Sequence, residues 1–155
     1  CKGCHNPGTH DYNKGFSVEV EDICRQIDNL ELQDGVTFSG GDPMLQPEAC
    51  GCIAKYCHQK GLNVWCYTGY TYEELLRLAE SNDNINKFLR EIDVLVDGRF
   101  VLAKKSYDLL YRGSSNQRLI DVKKSLRSKK IVLYELPMYS DVLTEKGRIN
   151  QYVFV

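Results

Sequence analysis

Cys1 and Cys4 stand two residues apart in the run CKGCHNPG, with His5 directly after them. Two thiolates at that spacing can share one metal ion or one edge of an iron–sulfur cluster. The same spacing also serves a redox dithiol or half of a zinc site. A zinc site needs a second pair of ligands. Cys50, Cys52 and Cys57 do not supply one: all three fall on one expected helix, and Cys52 lies off the stripe of the other two. They read as buried reduced thiols that pack as small hydrophobes. Cys24, beside the apolar stripe of the first expected helix, and Cys66, in an expected strand, read the same way.

Three further stretches carry chemistry. In SGGDP, Gly40 and Gly41 follow an expected strand and let backbone approach a ligand closely. Exposed N–H groups at such a turn bind a carboxylate, and Asp42 suits an ammonium, so the ligand with both groups is an amino acid. A plain strand-to-helix turn with Asp42 as a local cap explains the same residues. Thr68 in YTGY and Asp97 in LVDG stand at similar strand ends and suit ribose hydroxyls, or bonds to their own backbone. RGSSNQR, with Arg112, Ser114, Ser115, Asn116, Gln117 and Arg118, is dense in hydrogen-bonding groups and poor in core residues.

The elements that must position these residues follow from periodicity. A helix is expected from Val18, with Val20, Ile23, Ile27 and Leu30 on one stripe and Ser17 as its cap. A strand covers Val36 to Ser39, and a helix runs from Pro47 to Lys60 with Gly61 just past its end. A strand from Leu62 to Thr68 precedes a helix opened by a Thr71–Glu74 capping box. A third strand spans Ile92 to Asp97. KIVLYEL and QYVFV are expected late strands. Strands alternating with long helices make a parallel sheet, whose carboxyl ends gather ligands. The turns SGGD, TG and DG all fall on that edge.

The 155 residues fit a single domain, 1–155. With 20 Lys and Arg against 21 Asp and Glu, the net charge of −1 argues against a nucleic-acid partner. No apolar run approaches the ~20 residues of a membrane span. Seven cysteines in an α/β pattern suit a reducing, cytoplasmic setting.

CKGCHNPGTHD, GVTFSGGDPMLQPEA, VWCYTGY, IDVLVDGRF and YRGSSNQR occur in this order. Through them the chain resembles the anaerobic ribonucleoside-triphosphate reductase-activating proteins, a branch of the radical S-adenosylmethionine enzymes, from Cys1 to about Leu126. The resemblance implies an α/β fold: a partial, open barrel of mostly parallel strands, helices outside, whose first strand would precede Cys1. It implies a [4Fe–4S] cluster held by three cysteines in the pattern C-x-x-x-C-x-x-C. Cys1 and Cys4 match the second and third of these, and the first would stand four positions before Cys1, outside this sequence. It implies S-adenosylmethionine on the open iron, with backbone from Gly3 through Cys4 to His5 near the adenine. Gly40, Gly41 and Asp42 would then hold the methionine amino group, and Thr68 and Asp97 would be weaker contributors. His5 matches a loop position and not a ligand. The implied reaction is reductive cleavage to a 5′-deoxyadenosyl radical, which makes a glycyl radical on the large subunit of the reductase. A one-electron donor such as flavodoxin would supply the electron. Arg112, Ser114, Ser115 and Asn116 are the candidate partner-docking residues. An activase of pyruvate formate-lyase type, a non-catalytic iron–sulfur module and a dithiol redox protein are the rival readings.

Overall fold

The computed structural model describes residues 2–3, 7–11 and 15–136, and the backbone of 152–154. Its elements in chain order are α1 (Val20–Asp28), β1 (Gly35–Phe38), α2 (Pro47–Gln59), β2 (Asn63–Tyr67), α3 (Tyr72–Ser81), α4 (Asp83–Glu91), β3 (Val94–Asp97), β4 (Arg118–Asp121), α5 (Val122–Ser128) and β5 (Tyr152–Phe154). They form one open sheet in the order β4-β3-β2-β1-β5. β1, β2, β3 and β5 run parallel, and β4 is antiparallel to β3. The expected mostly parallel α/β sheet is therefore present. β5 pairs with Gly35 to Thr37 along the outer edge of β1.

The local reasons for these elements are mostly those the residues announce. Thr71 and Glu74 form the capping box: the Glu74 N–H donates to Thr71 Oγ1 at 3.3 Å and the Thr71 N–H to Glu74 Oε2 at 2.7 Å. Pro47 opens α2, and Gly61 follows its end with φ of 76°, a conformation that costs glycine little. α1 departs from expectation. It starts at Val20, its cap position is Glu19 without a side-chain bond, and Leu30 lies beyond it, exposed.

Three elements were not anticipated, and one expected strand is absent. α4 is capped by Asn82, whose Oδ1 accepts from the N–H groups of Asn84 and Ile85, and it buries Ile85, Phe88 and Leu89. β4 and α5 meet at Asp121, which accepts from the Lys124 N–H at 2.8 Å. KIVLYEL makes only an isolated bridge, Leu133 to Ile120, instead of a strand. It is held there by Ser125, whose Oγ accepts from the Val132 N–H.

Alternate strand positions point to opposite faces. Val36, Phe38, Val64, Cys66, Leu95 and Ile120 meet the helices in the main core, where Phe38 and Phe88 cross edge to face at 5.4 Å. Trp65, Val94, Val96 and Leu119 form a smaller cluster on the other face, beneath Tyr134 and Leu136. No helix among the described residues is long and apolar enough to cross a membrane.

At the amino ends of β2 and β3, away from the glycine turns, Asp93 gathers a charged cluster. Its carboxylate accepts from the Val64 N–H at 2.7 Å, meets His58 Nε2 at 3.0 Å and pairs with Lys123 Nζ at 2.5 Å. Burial pushes the Asp93 carboxyl up, but Lys123, His58 and the Val64 N–H together outweigh it and hold the group below its ordinary value. A depressed carboxyl stabilises the fold above its unfolded pKa of about 3.9 and loses that contribution as pH falls through the folded value. Lys123→Met removes one of the depressing partners. We expect it to cost about 0.5 kcal/mol at neutral pH, Lys123 being half exposed, and to move acid unfolding to higher pH. Far-ultraviolet circular dichroism during an acid titration reads the shift.

Candidate functional site

The carboxyl ends of β1, β2 and β3 converge through side chains, and Asp42 makes the central link. It caps the short turn Pro43–Leu45 by accepting the Met44 N–H at 3.1 Å. Across the strand boundary it accepts the Thr68 hydroxyl at 2.9 Å on Oδ1 and the Gly69 N–H at 2.8 Å on Oδ2. Thr68 Oγ1 in turn accepts the Tyr70 N–H at 3.2 Å. The Asp42 charge thus sits half buried among neutral donors, with no Lys, Arg or His in ion-pair range among the described residues. A carboxylate so placed keeps its attraction for a cation arriving from outside.

Beside it, Gly40 takes φ of 104°, and a Cβ built on Gly40 or Gly41 would meet no atom of the described residues within 4 Å. The turn is an open cradle of bare backbone next to a carboxylate. Thr9 Oγ1 donates to the Gly40 carbonyl at 3.5 Å, which ties the segment after the cysteine loop to this turn.

Asp97 behaves differently. It is 1% exposed, and its oxygens accept from the Tyr72 N–H at 2.9 Å, from Arg118 Nε at 3.0 Å and from Arg118 Nη2. Arg118 also grips Glu73 through Nη1 and Nη2, at 3.1 and 2.7 Å, and holds the Glu73 carboxyl below its usual range. The Asp97 carboxylate is therefore occupied by the protein itself, fixing the end of β3 to β4 and to the start of α3.

The next residue is Gly98, with φ of 90°, whose N–H donates to the Tyr70 carbonyl at 2.9 Å. After it comes Arg99, which sequence reasoning passed over although VDGRF sets a cation directly after a strand-end glycine. Its Cγ and Asp42 Oδ2 each lie 3.4 Å from where a Gly69 Cβ would stand, so the Arg99 stem and Asp42 both flank Gly69. The guanidinium is exposed and forms no ion pair among the described residues.

RGSSNQR turns largely inward. Gln117 Nε2 donates to the Gly98 carbonyl at 3.0 Å, and Asn116 Nδ2 to the Arg99 carbonyl at 2.8 Å. Gln117 Oε1 accepts the N–H groups of Gly113 and Ser114. Ser114 is fully buried, its hydroxyl accepting the Val101 N–H, and Arg112 donates to the Gln117 carbonyl. Ser115 is exposed. These residues clamp the backbone that carries Arg99.

Gly3 is described and sits against Leu102 and Phe100 of the loop after β3. Cys1, Cys4 and His5 lie outside the described residues. Elsewhere burial pushes the Cys50 and Cys57 thiols up to about 11, and Cys66 well above its ordinary value. These groups stay protonated near neutral pH and make poor metal ligands. No cluster of three or more potential ligands occurs among the described residues.

The family described as a 4Fe-4S single cluster domain matches residues 1–120. The anaerobic ribonucleoside-triphosphate reductase-activating protein of Vibrio cholerae serotype O1 is 36% identical over 128 residues, which cover 76% of this chain and 77% of that one. The chain belongs to this activating-protein family. The Escherichia coli (strain K12) member is 36% identical over 126 residues, with the same coverage of both chains. The pyruvate formate-lyase-activating enzyme of Clostridium pasteurianum is 35% identical over 99 residues, 60% of this chain and 42% of that one. No solved structure is significantly similar. As a family member the chain is an iron–sulfur activating enzyme.

Proposed function

We propose that the chain binds S-adenosylmethionine at the glycine edge of its sheet and generates a glycyl radical on anaerobic ribonucleoside-triphosphate reductase. The observation that carries this reading is the open Gly40–Gly41 cradle beside a carboxylate that no cation among the described residues neutralises. An amino acid's ammonium fits Asp42, and the cationic Arg99 across Gly69 fits its carboxylate. Thr68 holds Asp42 in place, and Asp97 fixes the strand end from which Arg99 projects.

The donor chemistry suits the cluster as well. Thiolates are the ligands of [4Fe–4S] centres, and Cys1 and Cys4 stand at ligand spacing, while burial holds the Cys50, Cys57 and Cys66 thiols above their ordinary value. When bound, a [4Fe–4S] cluster supplies the electron that cleaves S-adenosylmethionine to methionine and a 5′-deoxyadenosyl radical. The residues named here orient the ligand and hold its charged ends. A sheet curved into a partial barrel of radical S-adenosylmethionine type would admit the reductase's glycyl loop. A flavodoxin-like donor in the cytoplasm would provide the electron.

The test is electron paramagnetic resonance on protein reconstituted with iron and sulfide without oxygen, reduced, and mixed with S-adenosylmethionine and the reductase. A glycyl doublet on the reductase is the expected result. Release of 5′-deoxyadenosine without a doublet would move the reading to another glycyl-radical protein, which the Clostridium pasteurianum relative makes the second choice. An intact cluster with neither signal would reject the enzymatic reading.

A further inference from the structure

The loop between β3 and β4 has apolar side chains on a rigid frame. Val101 and Leu102 are 38% and 50% exposed, Tyr107 is 89% and Leu110 63%. A loop whose large apolar groups face water is normally mobile or covered by something. This one is pinned. The Lys104 N–H donates to the Val101 carbonyl at 2.8 Å, the Ser115 N–H to the Lys104 carbonyl at 2.8 Å, and Lys105 bridges to Ser114. Inside it, Ser114 and Gln117 fasten Val101 and Gly98. These bonds hold both ends of the loop in place, which lowers the cost of ordering its backbone when a partner arrives.

The same loop is basic. From residue 99 to residue 112 it carries Arg99, Lys104, Lys105 and Arg112 against Asp108 alone, in a chain whose net charge is −1. Lys104 and Lys105 are exposed, and Lys105 Nζ lies 4.6 Å from the centre of the Tyr107 ring. The platform is also continuous with the site. Leu102 lies against Gly3, one residue before Cys4, and the Arg99 stem at its root flanks Gly69, as Asp42 does.

We infer that this platform, residues 99–112, docks the activated subunit through an extended segment bearing apolar side chains flanked by carboxylates. The inference rests on the proposed glycyl-radical activity and names the surface through which the partner reaches the site. Charge selects an acidic partner segment and speeds its encounter, while Leu102, Tyr107 and Leu110 provide area to bury. The docking guess made from the sequence for Ser114 moves outward with it, since Ser114 serves the frame and its neighbours in the loop face the partner.

The experiment compares the wild-type, reconstituted protein with Lys104→Glu/Lys105→Glu and with Tyr107→Ala/Leu110→Ser. These positions are exposed and lie outside the ligand cradle, so both variants should fold and release 5′-deoxyadenosine at the wild-type basal rate without the reductase. Glycyl-radical yield is titrated against reductase concentration, at low and at raised ionic strength. The charge-reversal variant is expected to need roughly tenfold more reductase for half-maximal yield and to lose most of the salt dependence of the wild type. The apolar variant is expected to need more reductase while keeping the wild-type salt dependence. Wild-type titration curves from both variants would overturn the platform alone. A wild type that forms no radical on the reductase would overturn the function and the platform together.

Discussion

Asp42→Ala is expected to raise the dissociation constant for S-adenosylmethionine at least about tenfold, since a charge-assisted bond of roughly 1.5–3 kcal/mol is removed. Iron content should stay near wild type, because Asp42 lies outside the cysteine loop. The same change strips acceptors from the Met44 N–H, the Gly69 N–H and the Thr68 hydroxyl, so a stability loss of about 1–3 kcal/mol should accompany it. Asp42→Asn separates the two effects. Its amide keeps the size of the side chain and one accepting oxygen, but loses the charge that would meet an ammonium. It should therefore recover much of the stability while leaving ligand binding weak. Equilibrium dialysis with labelled ligand, beside urea denaturation, reads both quantities. Binding by Asp42→Asn equal to wild type would show that the carboxylate does only the structural work seen between β1 and β2.

What the residues alone reveal about this site divides along a physical line. SGGD, TG and DG could be placed on one sheet edge because strand–helix alternation fixes which ends of parallel strands coincide. The Thr71–Glu74 box and the Pro47 start are local chemistry and emerged as expected. Partnerships between distant residues were not visible. Nothing near Asp97 in sequence says that Arg118, on an antiparallel strand, will occupy its carboxylate, and this converts a candidate ribose contact into a buried tether. The polarity of RGSSNQR fits a solvated loop or a recognition surface equally. Its amide N–H groups donate to the carbonyls of Gly98 and Arg99, because a turn that leaves a strand end with positive φ has carbonyls that need donors. α4 was missed although Ile85, Phe88 and Leu89 repeat at helical spacing, since it follows α3 after a single residue, Asn82. β4, four residues long, is too short to show alternation against its surroundings.

Arg118→Met tests the buried tether and should be among the most destabilising single changes in the described chain. Arg118 contributes two of the three donors that reach the Asp97 carboxylate, and Asp97 is 1% exposed. Methionine preserves the apolar stem and removes the charge, leaving a buried carboxylate with the Tyr72 N–H alone. Breaking one side of a buried ion pair costs about 3–5 kcal/mol, a large part of the total of about 5–15 kcal/mol that a domain of this kind has available. The urea midpoint of the reduced protein should fall accordingly. Two companions fix the cause. Glu73→Gln removes only the outer, half-exposed partner and should cost less than about 1 kcal/mol. Asp97→Asn removes the buried charge itself and leaves Arg118 paired with Glu73, so it should be milder than Arg118→Met even though it alters the same contact. The ordering Arg118→Met, then Asp97→Asn, then Glu73→Gln is the expected signature of an unpaired buried carboxylate. If Asp97→Asn proved as damaging as Arg118→Met, the damage would come from lost geometry at the β3–β4 junction. Arg99 and its clamp would then depend on the shape of that junction and not on its charge.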